Sequence, residues 1–126
     1  MTAQASRILS AWGCPTNPAY SPDTANDGGS YWQFAGGIVA EINGQFVTVK
    51  VDDRSCGDFG SRYIVDIFAD GYAWSFCDGG MDDAAIDTPE HVEDVLDSAS
   101  SVLGVDAWAL VCEARDAASL CARREA

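Results

Sequence analysis

The sequence predicts an α+β fold: a four-stranded antiparallel sheet made of two hairpins, with an N-terminal helix and two C-terminal helices packed on one face. Three observations carry that expectation. Runs rich in β-branched and aromatic residues flank the dipeptides Asn43-Gly44 and Asp70-Gly71, both suited to two-residue turns. A segment after Thr88-Pro89 repeats its apolar residues at helical spacing and stops before Gly104. The chain also has 126 residues, 48% of them hydrophobic, with four Trp, five Phe and four Tyr. That is enough for one domain, spanning 1–126, which buries roughly two-thirds of its unfolded surface without a metal or disulfide framework.

Taken in chain order, Thr2 to Trp12 places Ala5, Ile8, Leu9 and Trp12 at helical spacing and halts at Gly13, with Pro15 just beyond, which predicts a short amphipathic helix. Residues 14–30 hold Pro15, Pro18, Pro22, Gly28 and Gly29 and no periodic face, which predicts a long loop. Strands at 31–42 and 45–52 follow. If Ile42 faces Gln45, then Ile38, Ala40, Ile42, Val47, Val49 and Val51 share one side, and Glu41, Thr48 and Lys50 the other. A second hairpin of the same kind, 63–69 with 72–77, puts Val65, Ile67, Ala69, Tyr72, Trp74 and Phe76 on one face and Asp66 with Ser75 on the other. Thr88 and Pro89 then supply an N-cap and a first-turn proline for a helix over 89–103. From Asp106, an N-cap candidate, to Arg124 the chain is Ala-rich, with Trp108, Val111, Cys112, Ala118 and Cys121 on one side. A helix is expected there, with a fifth strand at 108–112 as the alternative.

Charge is the most specific feature. The chain carries 20 Asp and Glu against 7 Lys and Arg, a formal net charge of −13. The acid lies in a block. Residues 63–114 contain 12 acids and no Lys or Arg, while the remainder is nearly balanced. Within the block, Asp78, Asp82, Asp83, Asp87, Glu90, Glu93, Asp94 and Asp97 place 8 acids in 20 residues, with His91 the one potential cation. Block charge implies a directed field.

On the 89–103 helix, Val92, Val95, Leu96, Ala99, Val102 and Leu103 form an apolar stripe, and Glu90, Glu93, Asp94 and Asp97 recur at i, i+3, i+4 and i+7 opposite it. The four like-charge neighbours cost about 1 to 2 kcal/mol together at low salt, partly offset by the helix dipole acting on Glu90. A sequence needing only a soluble helix would place Lys or Arg among these acids. Carboxylates one turn apart stand about 5 to 6 Å from each other, comparable to the ~6 to 7 Å between phosphates of a nucleic-acid strand, so the ridge suits a phosphate-binding groove.

In charge, size and lack of a catalytic motif the chain resembles the acidic nucleic-acid-mimicking inhibitors encoded by phages, the anti-restriction and anti-CRISPR proteins. That class has many unrelated folds and no shared motif, so the resemblance transfers no residue. The resemblance implies a non-enzymatic inhibitor, and the charge block with its helical ridge makes the eight acids from Asp78 to Asp97 the expected contact with a basic nucleic-acid-binding protein or ribonucleoprotein complex. The chain itself would bind no nucleic acid and no membrane, would work in the cytoplasm (the host's, if phage-encoded), and leaves a homodimer open. The alternative is a small cytosolic accessory or chaperone-like module that recognises its partner through an apolar groove or sheet edge. Its acidity would then serve only solubility.

Other chemistries have less support. A Cys-His nucleophile would need Cys56 to meet His91, oriented by Asp58 or Asp53. Clusters at Asp52, Asp53 and Asp58, or at Asp78, Asp82 and Asp83, offer cation oxygens but follow no calcium-loop spacing, so no metal or cofactor is expected. Gly36-Gly37 and Gly79-Gly80 lack the motifs of phosphate loops and read as a strand bulge and a turn. Five cysteines without a CxxC or an evident secretory signal are expected to be reduced, with Cys77, Cys112 and Cys121 as small core residues. Arg115, Arg123 and Arg124 form a small basic tail, for which i, i+4 pairing of Glu113 or Asp116 with nearby arginines is expected. Tyr20, Tyr31 and Trp32, in or beside the Pro-rich loop, are candidate interface aromatics.

Overall fold

A computed structural model describes residues 6–16, 31–56, 62–79 and 88–125, with 31–33, 54–56, 62, 63, 78, 79 and 125 described by backbone alone. Among the described residues five strands, β1 (Ser6–Pro15), β2 (Tyr31–Ile42), β3 (Gln45–Cys56), β4 (Arg62–Ala69) and β5 (Tyr72–Gly79), precede two helices, α1 (Pro89–Leu103) and α2 (Ala107–Glu125). The strands form one antiparallel meander in the order β1-β2-β3-β4-β5. The fold is α+β, with both helices at the C-terminal end of the chain.

The expected N-terminal helix is instead β1, so the sheet has five strands rather than four. The spacing of Ile8 and Trp12 misleads because the strand is bulged. Ile8 pairs with Ala40, Ser10 with Val39 and Trp12 with Gly37, leaving Leu9 as an extra residue. Unbulged, Ile8 and Trp12 would share a face; the bulge sends them to opposite faces and breaks the period of two that marks a strand. Paired along β2, the segment satisfies backbone groups on one side that the edge of a four-stranded sheet would leave open.

The first hairpin has the expected register, Ile42 opposite Gln45, and its turn residues Asn43 (φ 50°) and Gly44 (φ 87°) are both left-handed. Ile38, Ile42, Val47 and Val49 are fully buried on one face. The second hairpin also has the expected register, Ala69 opposite Tyr72, and Ser75 Oγ donates to Asp66 Oδ1 at 2.6 Å on the other face. Its turn differs from the first: among Asp70 and Gly71 only Gly71 takes a positive φ, 78°. The Gly36-Gly37 pair is regular strand, since the bulge lies in β1.

α1 has the expected ends. Thr88 Oγ1 accepts from the His91 amide, Pro89 opens the helix, and Gly104 (φ 78°) closes it with its N–H on the Ser100 carbonyl. For α2, Asp106 Oδ1 accepts from the Trp108 amide at 3.0 Å, and residues 108–112 are helical, which removes the fifth-strand alternative at that position. Its buried face is only in part the one expected, since Val111 and Ala118 belong to it and Trp108 does not. Ala107, Leu110, Val111, Ala114, Ala118 and Ala122 are buried, while Trp108 is exposed and Cys112 and Cys121 are half-buried.

That alanine ridge lets α2 lie close to the sheet. Gly13 and Gly36 are register partners beneath it. A Cβ on Gly13 would stand 2.1 Å from the Ala118 carbonyl oxygen, and one on Gly36 would stand 2.8 Å from the Ala118 Cβ. The glycines are required by close approach. Among the described residues no single helix is long and apolar enough to cross a membrane.

Candidate functional site

The acidic ridge is positioned by the apolar stripe behind it. Ala99 and Leu103 are buried, and Val92, Val95 and Leu96 are half-buried against the core, so the remaining face of α1 turns outward. Glu90, Glu93, Asp94 and Asp97 are all exposed on it. None of the four forms an ion pair with a described residue. The described salt bridges are elsewhere: Arg7 with Glu41 at 3.2 Å across β1 and β2, and Arg115 with Asp53 at 3.5 Å between α2 and β3. Arg123 and Arg124 sit in the last turn of α2.

Of the other acids expected at the site, Asp78 lies in β5 opposite Tyr63, with its side chain undescribed, and Asp82, Asp83 and Asp87 lie outside the described residues. The charge block is also less uniform in space than in sequence. Asp66, within it, belongs to the opposite face of the sheet. Four carboxylates in a row on one helix therefore form the described part of the site.

The arrangement of the remaining candidates follows from strand alternation. Asp52 and Asp53 are consecutive in β3 and point to opposite faces, so these two do not converge. Asp53 is fully buried beneath α2, where Arg115 reaches it at 3.5 Å. Arg115 thus reaches across the fold to Asp53. Asp58 lies outside the described residues, Cys56 is described by backbone alone, and His91 is exposed on α1. Among the described residues no three His, Cys, Asp or Glu side chains are grouped to hold a metal ion. Cys77 is half-buried on the outer side of β5 and Cys14 is exposed; neither is a core thiol. Tyr20 is outside the described residues, and Tyr31 and Trp32 are described by backbone only.

The sequence reading missed the sheet's second face. α1 and α2 both cover the side carrying Ile38, Val49 and Val65, and the other side carries Trp12, Lys50, Asp66 and Phe68, with Phe46 at its hairpin end. The Trp12 ring lies over Gly37. Beside it a shallow trough of about 280 Å³ runs along Cys14, Ala35, Lys50, Asp52 and Ile64. Phe46 and Phe68 occupy the polar phase of their strands, and that break in alternation was the available signal.

A second aromatic feature adjoins the ridge. Tyr72 and Trp74 on β5 stack with centroids 5.4 Å apart and planes within 1°, and Trp74 Nε1 donates to Ser98 Oγ on α1 at 3.0 Å. Ser98 follows Asp97 and stands one turn beyond Asp94, so the stack packs against the C-terminal half of the acidic helix. No protein-family model, no characterised protein and no solved structure matches the chain.

Proposed function

We propose that this protein is a non-enzymatic inhibitor that occupies the nucleic-acid-binding surface of a basic protein or ribonucleoprotein complex, with the exposed face of α1 standing in for a row of phosphates. The observation that carries this reading is the set of four carboxylates, Glu90, Glu93, Asp94 and Asp97, aligned on one helix face without a described cationic partner. Self-repulsion along that face costs stability, and a basic groove would relieve it. Complementary charge would also accelerate encounter, an effect that salt weakens. A phage-encoded inhibitor of this kind would act in the host cytoplasm.

The test is a pull-down from lysate with the wild-type chain and with Glu93→Lys, Asp94→Lys and Asp97→Lys combined, with and without nuclease. The expected result is a nucleic-acid-binding protein that is retained by the wild type, competed away by DNA or RNA, and lost with the triple variant while the circular dichroism spectrum is unchanged. Retention of the same partner by the triple variant removes the mimicry.

A second reading, an accessory or chaperone-like protein-binding module, is favoured by the exposed aromatic residues on the uncovered sheet face. Salt separates the two. An electrostatic complex weakens steeply between about 50 and 500 mM salt, whereas apolar burial holds or strengthens.

A further inference from the structure

We propose that two copies of this chain associate face to face through the side of the sheet turned away from the helices. Phe46 is 66% exposed there, Phe68 41% and Trp12 39%. A sheet face that no described element covers, bearing three large aromatics with charged residues among them, is the surface pattern of an interface and not of a solvated exterior.

Charge selects the occupant. The chain carries −13, yet this face is close to neutral among its described side chains: Arg7 is paired with Glu41, and Lys50 is the register partner of Asp66, with Asp52 next to them. A basic partner of the kind that suits α1 finds no complement here. A second copy does. In a two-fold contact each residue pairing occurs twice, so Lys50 of one copy set against Asp52 or Asp66 of the other gives two equivalent ion pairs. Lys50 already lies over the Phe68 ring, 5.9 Å from its centroid, so the cation and the aromatic anchor would enter the interface together.

Geometry removes the objection that two acidic chains repel. The ridge on α1 and the face proposed for contact belong to opposite sides of the sheet. Packed layers are spaced by about 10 Å, so helix, sheet, sheet and helix would separate the two ridges by roughly 30 Å, several times the ~8 Å Debye length at physiological salt. The dimer would present two acidic ridges pointing away from each other. This inference is independent of what the ridge binds.

Sedimentation velocity of the full chain, from about 1 to 200 µM in ~0.15 M salt, tests it. The expected result is a species of twice 13.4 kDa at the upper concentrations. Phe46→Glu, at a side chain exposed enough to leave the fold unchanged by circular dichroism, should raise the dimer dissociation constant by about thirtyfold or more, and Phe68→Ser should act in the same direction. Lys50→Asp should weaken the dimer, and Leu120→Glu, on the exposed side of α2, should not. A chain that is monomeric at every concentration overturns the proposal. So does a dimer indifferent to Phe46→Glu and Lys50→Asp, or one dissolved by Leu120→Glu alone.

Discussion

The side-chain amide of Asn43, at the tip of the first hairpin, donates to the main-chain carbonyl of Leu103 at 2.9 Å, tying the β2–β3 turn to the C-terminus of α1 across 60 residues of sequence. The carbonyls of a last helical turn lack intrahelical partners, and here a hairpin supplies one. Gly104 completes the arrangement: a Cβ on it would stand 2.9 Å from Asn43 Nδ2.

Asn43 therefore has two roles that substitution can separate. Asn43→Gly keeps a residue tolerant of positive φ but removes the donor, and should lower unfolding free energy by about 1 kcal/mol. Urea titration measures the loss, and amide exchange should quicken in the last turn of α1. A turn-only role predicts a loss near zero.

The Arg115 ion pair makes a larger prediction. With Asp53 fully buried and Arg115 reaching it at 3.5 Å, Arg115→Leu takes the cation from a buried carboxylate and should cost about 3 kcal/mol. The double variant Asp53→Leu, Arg115→Leu should be more stable than Arg115→Leu alone, because both charges leave together. Chemical denaturation of the wild type and the two variants gives the comparison.

Close approach of α2 to the sheet sets a third. Gly13→Val forces side-chain atoms into the Ala118 backbone, and α2 must move away from β1 and β2. The expected loss is about 1 to 3 kcal/mol, read as a lower thermal midpoint. An unchanged midpoint would mean that the alanine ridge does not hold α2 where it lies.

Asp94 is where stability and binding should oppose each other. Asp94→Lys turns two repulsive neighbours, Glu90 and Asp97, into attractive ones, and should raise the thermal midpoint by about 2 to 4 °C at low salt, with the gain shrinking as salt screens the pairs. The same change should weaken binding to the basic partner proposed for α1. A lower midpoint, or binding left intact, contradicts the assignment of the ridge.

Local chemistry was readable without a structure wherever one short segment decided the outcome. Asn43-Gly44 set the register of the first hairpin, because two adjacent left-handed residues admit few turns. Thr88, Pro89 and Gly104 marked both ends of α1, because unsatisfied backbone groups there are met by neighbours in sequence. The outward row Glu90, Glu93, Asp94 and Asp97 followed from helical period alone.

Tertiary structure decided everything that depended on which surface a segment meets. Ser6–Pro15 has apolar residues at spacing compatible with a helix, and became a bulged strand because β2 offered a paired edge. Trp108 was expected inside α2's buried face and lies outside it, because the sheet beneath, opened by Gly13 and Gly36, accepts alanines at close range and not an indole. Asp53 and Arg115 are 62 residues apart and meet only after α2 crosses β3. The uncovered face of Trp12, Phe46 and Phe68 likewise exists because both helices chose the other side. Periodicity in a sequence specifies which residues share a face, and only packing specifies what that face is turned toward.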